Sequence, residues 1–331
     1  MLEHGGNLHV ASQQYGIARE YWLDLSTGIN PQGYPVPEIP ASAWHRLPEA
    51  DPPLERIAAS YYGAQRLLVT AGSQAAIQAL PRLRQPCRVT VLGPMYAEHA
   101  HAWRQQGHQV SEIDYLPSAA MLAETDVLLV CNPNNPTARL LAPSTLLEWH
   151  QVLSEHDGWL VVDEAFMDST PEHSLAAYSH HSGLIILRSL GKFFGLAGAR
   201  VGFVLAETPL LTRMADLLGP WAVTGPSSIV AQAALADHAW QQHHRAKLLA
   251  ESRQLADMLR QAGLPARKGC ALFQWLKLEH AERLHVQLAR QGVWTRHFPA
   301  LRGVRIGLPS ADGWQKLAVA LKELQLQDLS D

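Results

Sequence analysis

Two patterns alternate along the first two thirds of the chain. Short apolar or β-branched runs at 67–70, 88–92, 109–113, 127–131, 159–162, 184–187 and 201–205 read as strands. Helical spacing fills several of the gaps, at 73–84, 99–106 and 144–155, and 56–62 reads as the end of a helix. Strands alternating with helices predict an α/β fold, with a mostly parallel sheet covered on both faces. Residues 226–261 form a long helical stretch, broken near Trp240. Beyond Gly263 the order becomes strand 270–276, helix 282–290, strands 293–295 and 304–306, and helix 313–324, the pattern of a smaller α+β domain. The N-terminal stretch is rich in Pro, Gly and Asn and reads as irregular. The expected domains are an N-terminal arm at 1–40, a large domain at 41–262 and a small one at 263–331.

Composition narrows the classes. A chain of 331 residues with 47% hydrophobic positions suits one large domain and a smaller one. A formal charge of −3 without a basic run argues against nucleic acid or an anionic membrane as partner. No apolar run reaches membrane-spanning length, and no charged segment followed by an apolar one opens the chain. Cys87, Cys131 and Cys270 are far apart and odd in number, which fits a reducing cytoplasm. The 17 histidines lack metal-site spacing, so no metal is expected, and most of them read as solvated.

Candidate chemistry centres on Lys192, in Ser189-Leu-Gly-Lys192-Phe-Phe-Gly-Leu-Ala-Gly198-Ala-Arg200-Val-Gly202. An apolar, glycine-rich setting favours the neutral, nucleophilic amine of a lysine. Ser189 and Arg200 on either side suit a phosphate. A Schiff-base lysine with a phosphate clamp points to pyridoxal 5'-phosphate (PLP). Taken alone, a lysine in a loop is usually a surface residue; two further segments change that reading. One apolar run ends in Asp163, which can pair with a protonated pyridine nitrogen. Another runs into Asn132-Pro-Asn-Asn135-Pro136, where Asn135 can donate to the pyridoxal phenolic oxygen. A further turn, Gly72-Ser73-Gln74, feeds a helix whose free N–H groups can hold a phosphate.

These segments, in this order, resemble the class I/II aminotransferase superfamily of fold-type I PLP enzymes, from about Asp24 to the C-terminus. Within it the chain resembles the histidinol-phosphate aminotransferase branch, and most closely the threonine-phosphate decarboxylases. His4-Gly5-Gly6-Asn7-Leu8 and the segment from Leu23 through Asn30 to Gly33 carry that finer likeness, together with Asp163-Glu-Ala-Phe166. The resemblance implies Tyr96 stacking on the pyridine ring, and Arg305 on the substrate carboxylate. It also implies Arg296 on a distal phosphate, with His4 and Asn30 assisting, and a homodimer. The implied reaction is decarboxylation of L-threonine O-3-phosphate, a small phosphorylated amino acid, for the aminopropanol arm of cobalamin. The alternative is an aminotransferase acting on histidinol phosphate or a related amine. Two departures stand out. Phe166 replaces a tyrosine usual in aminotransferases, a change the decarboxylases share, and Leu47 replaces a tyrosine that reaches the partner subunit's cofactor in many relatives.

Overall fold

The computed structural model describes residues 4–48 and 52–324; the parts of the expected domains at 1–3, 49–51 and 325–331 lie outside them. The chain divides into two compact units. One comprises Tyr34–Asn135 and Leu140–His243, and the other takes the described residues before Tyr34, those at 136–139 and those from His244 onward.

The larger unit is built on a seven-stranded sheet: β1 Leu68–Thr70, β2 Arg88–Leu92, β3 Gln109–Ile113, β4 Val127–Cys131, β5 Trp159–Asp163, β6 Leu184–Ser189 and β7 Gly202–Leu205. Their order across the sheet is β1-β7-β6-β5-β4-β2-β3. β2 to β6 run parallel, as the alternating pattern predicts, while β7 reverses against β6 and β1 reverses against β7. Every residue of β4 and β5 is buried. Such unbroken apolar runs are what a parallel strand needs when both its faces are covered. Helix Ser73–Ala79 packs on β6 and β7, and helix Pro143–Ser154 on β5.

Register brings the functional segments to one edge. Cys131 pairs with Asp163, and Asp163 with Leu187, so β4 and β5 finish level and β6 runs two residues further to Ser189. The reversal of β7 sets its first residue, Gly202, opposite Ser189, and β1 ends with Thr70 opposite Gly202. The turns after β1, β2, β4, β5 and β6 therefore share an edge with the turn into β7. The long helical stretch is two helices, Gly225–Ala236 and His238–Gln261. They break at Asp237, whose Oδ1 accepts from Trp240 N at 2.9 Å and so ends one helix and starts the next.

The other unit carries an antiparallel sheet of β8 Lys268–Cys270, β9 Phe273–Lys277, β10 Arg296–Phe298 and β11 Gly303–Gly307, in the order β10-β11-β9-β8. Helices Ala281–Arg290 and Gly313–Lys322 belong to the same unit. Three expectations need correction here. The strand read at 270–276 is a hairpin, with Phe273 paired to Cys270 across Ala271 and Leu272. Both turn residues are buried and apolar, so no turn signal interrupts the run. The strand read at 293–295 ends at Trp294 and pairs with Leu23–Asp24; past the buried Thr295 the chain changes partner and joins β11. Finally, the supposedly irregular arm holds a helix, Leu8–Tyr15, capped by the Asn7 side chain and closed by Gly16 in the left-handed region at φ 68°. Tyr15, Trp22 and Trp294 pack edge-on around it at 5.7–6.2 Å. Among the histidines, His99, His108 and His150 are buried rather than solvated. No helix among the described residues is long and apolar enough to cross a membrane.

Candidate active site

Asp163 closes β5 and is 4% exposed. Its two oxygens have different partners. Oδ1 accepts from Ala165 N at 3.0 Å, and Oδ2 lies 2.9 Å from His99 Nε2. A carboxylate offers only acceptors, so His99 donates here, and Nε2 carries the hydrogen. His99 comes from helix Glu98–Gln105, which follows β2, and it is itself 1% exposed. Tyr96 lies one turn earlier, edge-on to the His99 ring at 6.3 Å. Burial, with the charges of Glu98 and Asp163 behind it and Arg200 opposing, lifts the Tyr96 hydroxyl to about 12. It therefore stays protonated, and it donates to Gln74 Oε1 at 3.4 Å. Gln74 Nε2 in turn donates to Glu98 Oε2 at 3.0 Å.

Beside this pair lies a cradle of backbone and guanidinium. Gly72 precedes helix Ser73–Ala79 with φ 74°, a conformation glycine adopts without strain, and no side chain caps the helix. A Cβ at Gly72 would meet Arg200 Nη2 at 2.7 Å. Arg200 itself sits in the left-handed region at φ 54°, fixed by the 3-10 turn Ala197–Ala199 before it. Gly202 brings the start of β7 so close that a Cβ there would strike Ser73 N at 2.4 Å. Ser189 ends β6, its Oγ accepting from Gly191 N at 3.2 Å. Three residues on, the half-buried Lys192 places Nζ 5.5 Å from the centre of the buried Phe166 ring. Asn135 lies in the turn after β4, where Asn132 ties the loop by accepting from Leu141 N at 2.8 Å. The structure thus gathers Gly72, Ser73, Gln74, Tyr96, Asn135, Asp163, Ser189, Lys192 and Arg200 along one sheet edge.

The remaining expected residues belong to the other unit. Arg305 on β11 is 5% exposed, with its guanidinium 5.2 Å from the Phe273 ring centre and Nη2 donating to Ser26 O. Arg296 on β10 is its direct cross-strand partner. Ser26 also receives the segment that follows His4. Gly6 N donates to Ser26 Oγ at 2.7 Å, and Gly5 lies so near Ser26 O that a Cβ would stand 2.5 Å from it. His4 is exposed. Asn30 is buried, and its Oδ1 accepts from Gln32 N at 2.9 Å, shaping its own turn.

Sequence reasoning missed His99. Its signal was available: a histidine one helical turn after the aromatic that follows a strand, at the edge where Asp163 ends the neighbouring run. It was lost among 17 histidines treated alike.

The chain matches the model of the aminotransferase class I and II family over residues 39–323. It is 55% identical over 322 residues to the threonine-phosphate decarboxylase of Pseudomonas aeruginosa, covering 97% of each chain. It is 30% identical to the histidinol-phosphate aminotransferase of Cronobacter sakazakii over 67% of this chain and 66% of that one. Its fold superimposes with a TM-score of 0.82 on the histidinol-phosphate aminotransferase of Sinorhizobium meliloti, solved in complex with pyridoxal-5'-phosphate, at 19% identity over 97% and 95% of the two chains. On this evidence the chain belongs to the class I and II aminotransferase family, in its threonine-phosphate decarboxylase branch.

Proposed function

We propose that the protein is a PLP-dependent decarboxylase that converts L-threonine O-3-phosphate to (R)-1-amino-2-propanol O-2-phosphate and carbon dioxide, for the aminopropanol arm of cobalamin. The residues of the sheet edge fit the cofactor. The Gly72 and Arg200 cradle, with Ser73 and Ser189, suits its phosphate; buried Asp163 suits a pyridinium; Tyr96 offers a ring face; Lys192 offers an amine. Bound PLP supplies an electron sink for the pair left at Cα when the carboxylate departs. Asp163 would hold the proton on the pyridine nitrogen, and His99 fixes that carboxylate in place. Lys192 would hold the cofactor through Nζ and is the chain's candidate proton carrier for Cα. Phe166 offers no hydrogen-bond donor where many aminotransferases have a tyrosine hydroxyl.

The observation that carries the substrate reading is the direct opposition of Arg296 and Arg305. Like charges opposite one another on neighbouring strands repel, by a fraction of a kcal/mol or more. A ligand with two anionic groups suits two guanidiniums placed side by side, and phosphothreonine has a phosphate and a carboxylate. Each guanidinium fork can bind one of them by paired hydrogen bonds. Losing one charge-assisted contact costs ~1.5–3 kcal/mol, roughly ten- to hundredfold in binding. Arg296→Ala should raise KM for phosphothreonine by that factor and change threonine binding little, whereas Arg305→Ala should weaken both. Equal losses for the two substrates in Arg296→Ala would make Arg296 structural. The reaction itself is tested by incubating the enzyme with PLP and phosphothreonine and no keto acid. Carbon dioxide release supports decarboxylation, and product formation that depends on 2-oxoglutarate supports the aminotransferase alternative instead.

The same reading includes a cytoplasmic homodimer. Val36, Trp44, Leu47 and Trp221 of the larger unit are each about 60% exposed or more. Trp44 directly follows Ala43, whose carbonyl closely approaches Gly225, and Trp221 holds a left-handed φ of 63°. Large apolar side chains displayed this way fit a second copy of the chain. Sedimentation at micromolar concentration should find a dimer, and a fully active monomer would refute it. None of Cys87, Cys131 and Cys270 forms a disulfide, which suits a reducing compartment.

A further inference from the structure

Beneath the sheet edge lies a buried ionic cluster that the reaction does not use directly. Arg188 on β6 is 2% exposed. Its Nη1 lies 2.6 Å from Glu164 Oε2 and its Nη2 2.8 Å from Asp168 Oδ1, and both carboxylates are fully buried. The guanidinium covers the Tyr62 ring at 4.5 Å. Tyr61 OH donates to Asp168 Oδ1 at 3.0 Å. Glu164 also accepts from Ser174 Oγ at 2.5 Å and from Leu175 N at 2.8 Å.

The placement of these residues in the chain is informative. Glu164 directly follows Asp163, and Arg188 directly precedes Ser189. Successive strand residues point to opposite faces, so the Arg188 fork works on the face opposite Ser189. The cluster therefore joins the ends of β5 and β6, the two strands that deliver Asp163 and the turn to Lys192. The backbone makes the same join, with Glu164 N donating to Leu187 O at 2.9 Å. Stability is a weak reason for such a cluster, since buried ion pairs seldom outperform apolar side chains of similar volume. An apolar filling could pack this space but could not fix the two strand ends through directed, two-pronged bonds.

We propose that Arg188, held by Glu164 and Asp168, is a positioning residue that sets Asp163 and the Ser189-to-Lys192 turn in fixed relation. The proposal rests on the cofactor reading above. Arg188→Met alone strands two buried carboxylates, so the informative variant is the neutral triple Arg188→Met, Glu164→Gln, Asp168→Asn. It should keep its fold by far-ultraviolet circular dichroism and still trap PLP with borohydride at one per chain. The visible dichroism of bound PLP, which reports how the chain orients it, should fall to less than about half. kcat should drop about ten- to hundredfold, the scale set by misplacing reacting groups by an ångström or less, while KM changes less than about threefold. Arg188→Lys keeps the charge but not the fork, and should fold while kcat stays as low as in the triple variant. Parental dichroism and kcat in the triple variant would show that the cluster only fills space and would overturn the proposal. So would a triple variant that cannot fold, which would make the cluster a folding element. The dichroism is read without substrate. A parent enzyme that binds PLP but releases no carbon dioxide would therefore sink the substrate reading while leaving this comparison standing.

Discussion

Lys192→Ala should lose all measurable turnover, a fall on the order of 10⁴-fold or more, which corresponds to about 5.5 kcal/mol of barrier. It should also lose the borohydride-reducible link to PLP. The argument is one of location. The chain has five other lysines, Lys247, Lys268, Lys277, Lys316 and Lys322, and all lie in the other unit, in the part of it from His244 onward. Lys192 is the one lysine of the unit that carries Asp163, Arg200 and the Gly72 turn. No second amine of that unit can take its place. The variant should still fold, because Lys192 is half-buried in the turn after β6, outside the apolar core of the sheet. Peptide mapping of the borohydride-treated parent should find the label on Lys192, and a label that persists in the Ala variant would remove the residue from the mechanism.

The strands that build the site were legible because their burial is one-dimensional. The runs at 127–131 and 184–187 are apolar along their whole length, and the polar residues that follow them, Asn132 and Arg188, mark the sheet edge. Register then levels those ends, a step that the sequence implies only through the parallel pattern. The small unit was harder to read for a physical reason. At Ala271 and Leu272 a buried turn is made of apolar residues, so hydrophobicity ran straight through a reversal of direction. Long-range pairing hid the rest. His99 and Arg188 owe their roles to partners 64 and 20–24 residues away in the chain, and local spacing records neither contact. The opposition of Arg296 and Arg305 was visible only as proximity in sequence; the hairpin-like pairing of β10 and β11 makes them face each other.

The second large effect is expected at Asp163. Asp163→Asn should retain PLP yet lower kcat by roughly 10²- to 10⁴-fold, or ~2.7–5.5 kcal/mol. Two losses combine. A neutral amide does not hold a proton on the pyridine nitrogen as a carboxylate does, so the electron sink weakens. The substitution also disturbs the support around it. Both oxygens of Asp163 receive donors, Ala165 N on one side and His99 Nε2 on the other. An asparagine must turn its NH2 toward one of them, setting donor against donor unless the His99 ring moves its hydrogen to the other nitrogen. At 1–4% exposure no water is at hand to absorb the mismatch. His99→Ala separates the two contributions. It keeps the carboxylate and removes only its support, so kcat should fall less, about tenfold, with PLP stoichiometry unchanged. Equal losses in the two variants would mean that placement of the carboxylate, not its charge, limits the rate. A near-parental kcat in Asp163→Asn would reduce Asp163 to the acceptor that shapes the turn at Ala165, and the proton on the ring would need another holder.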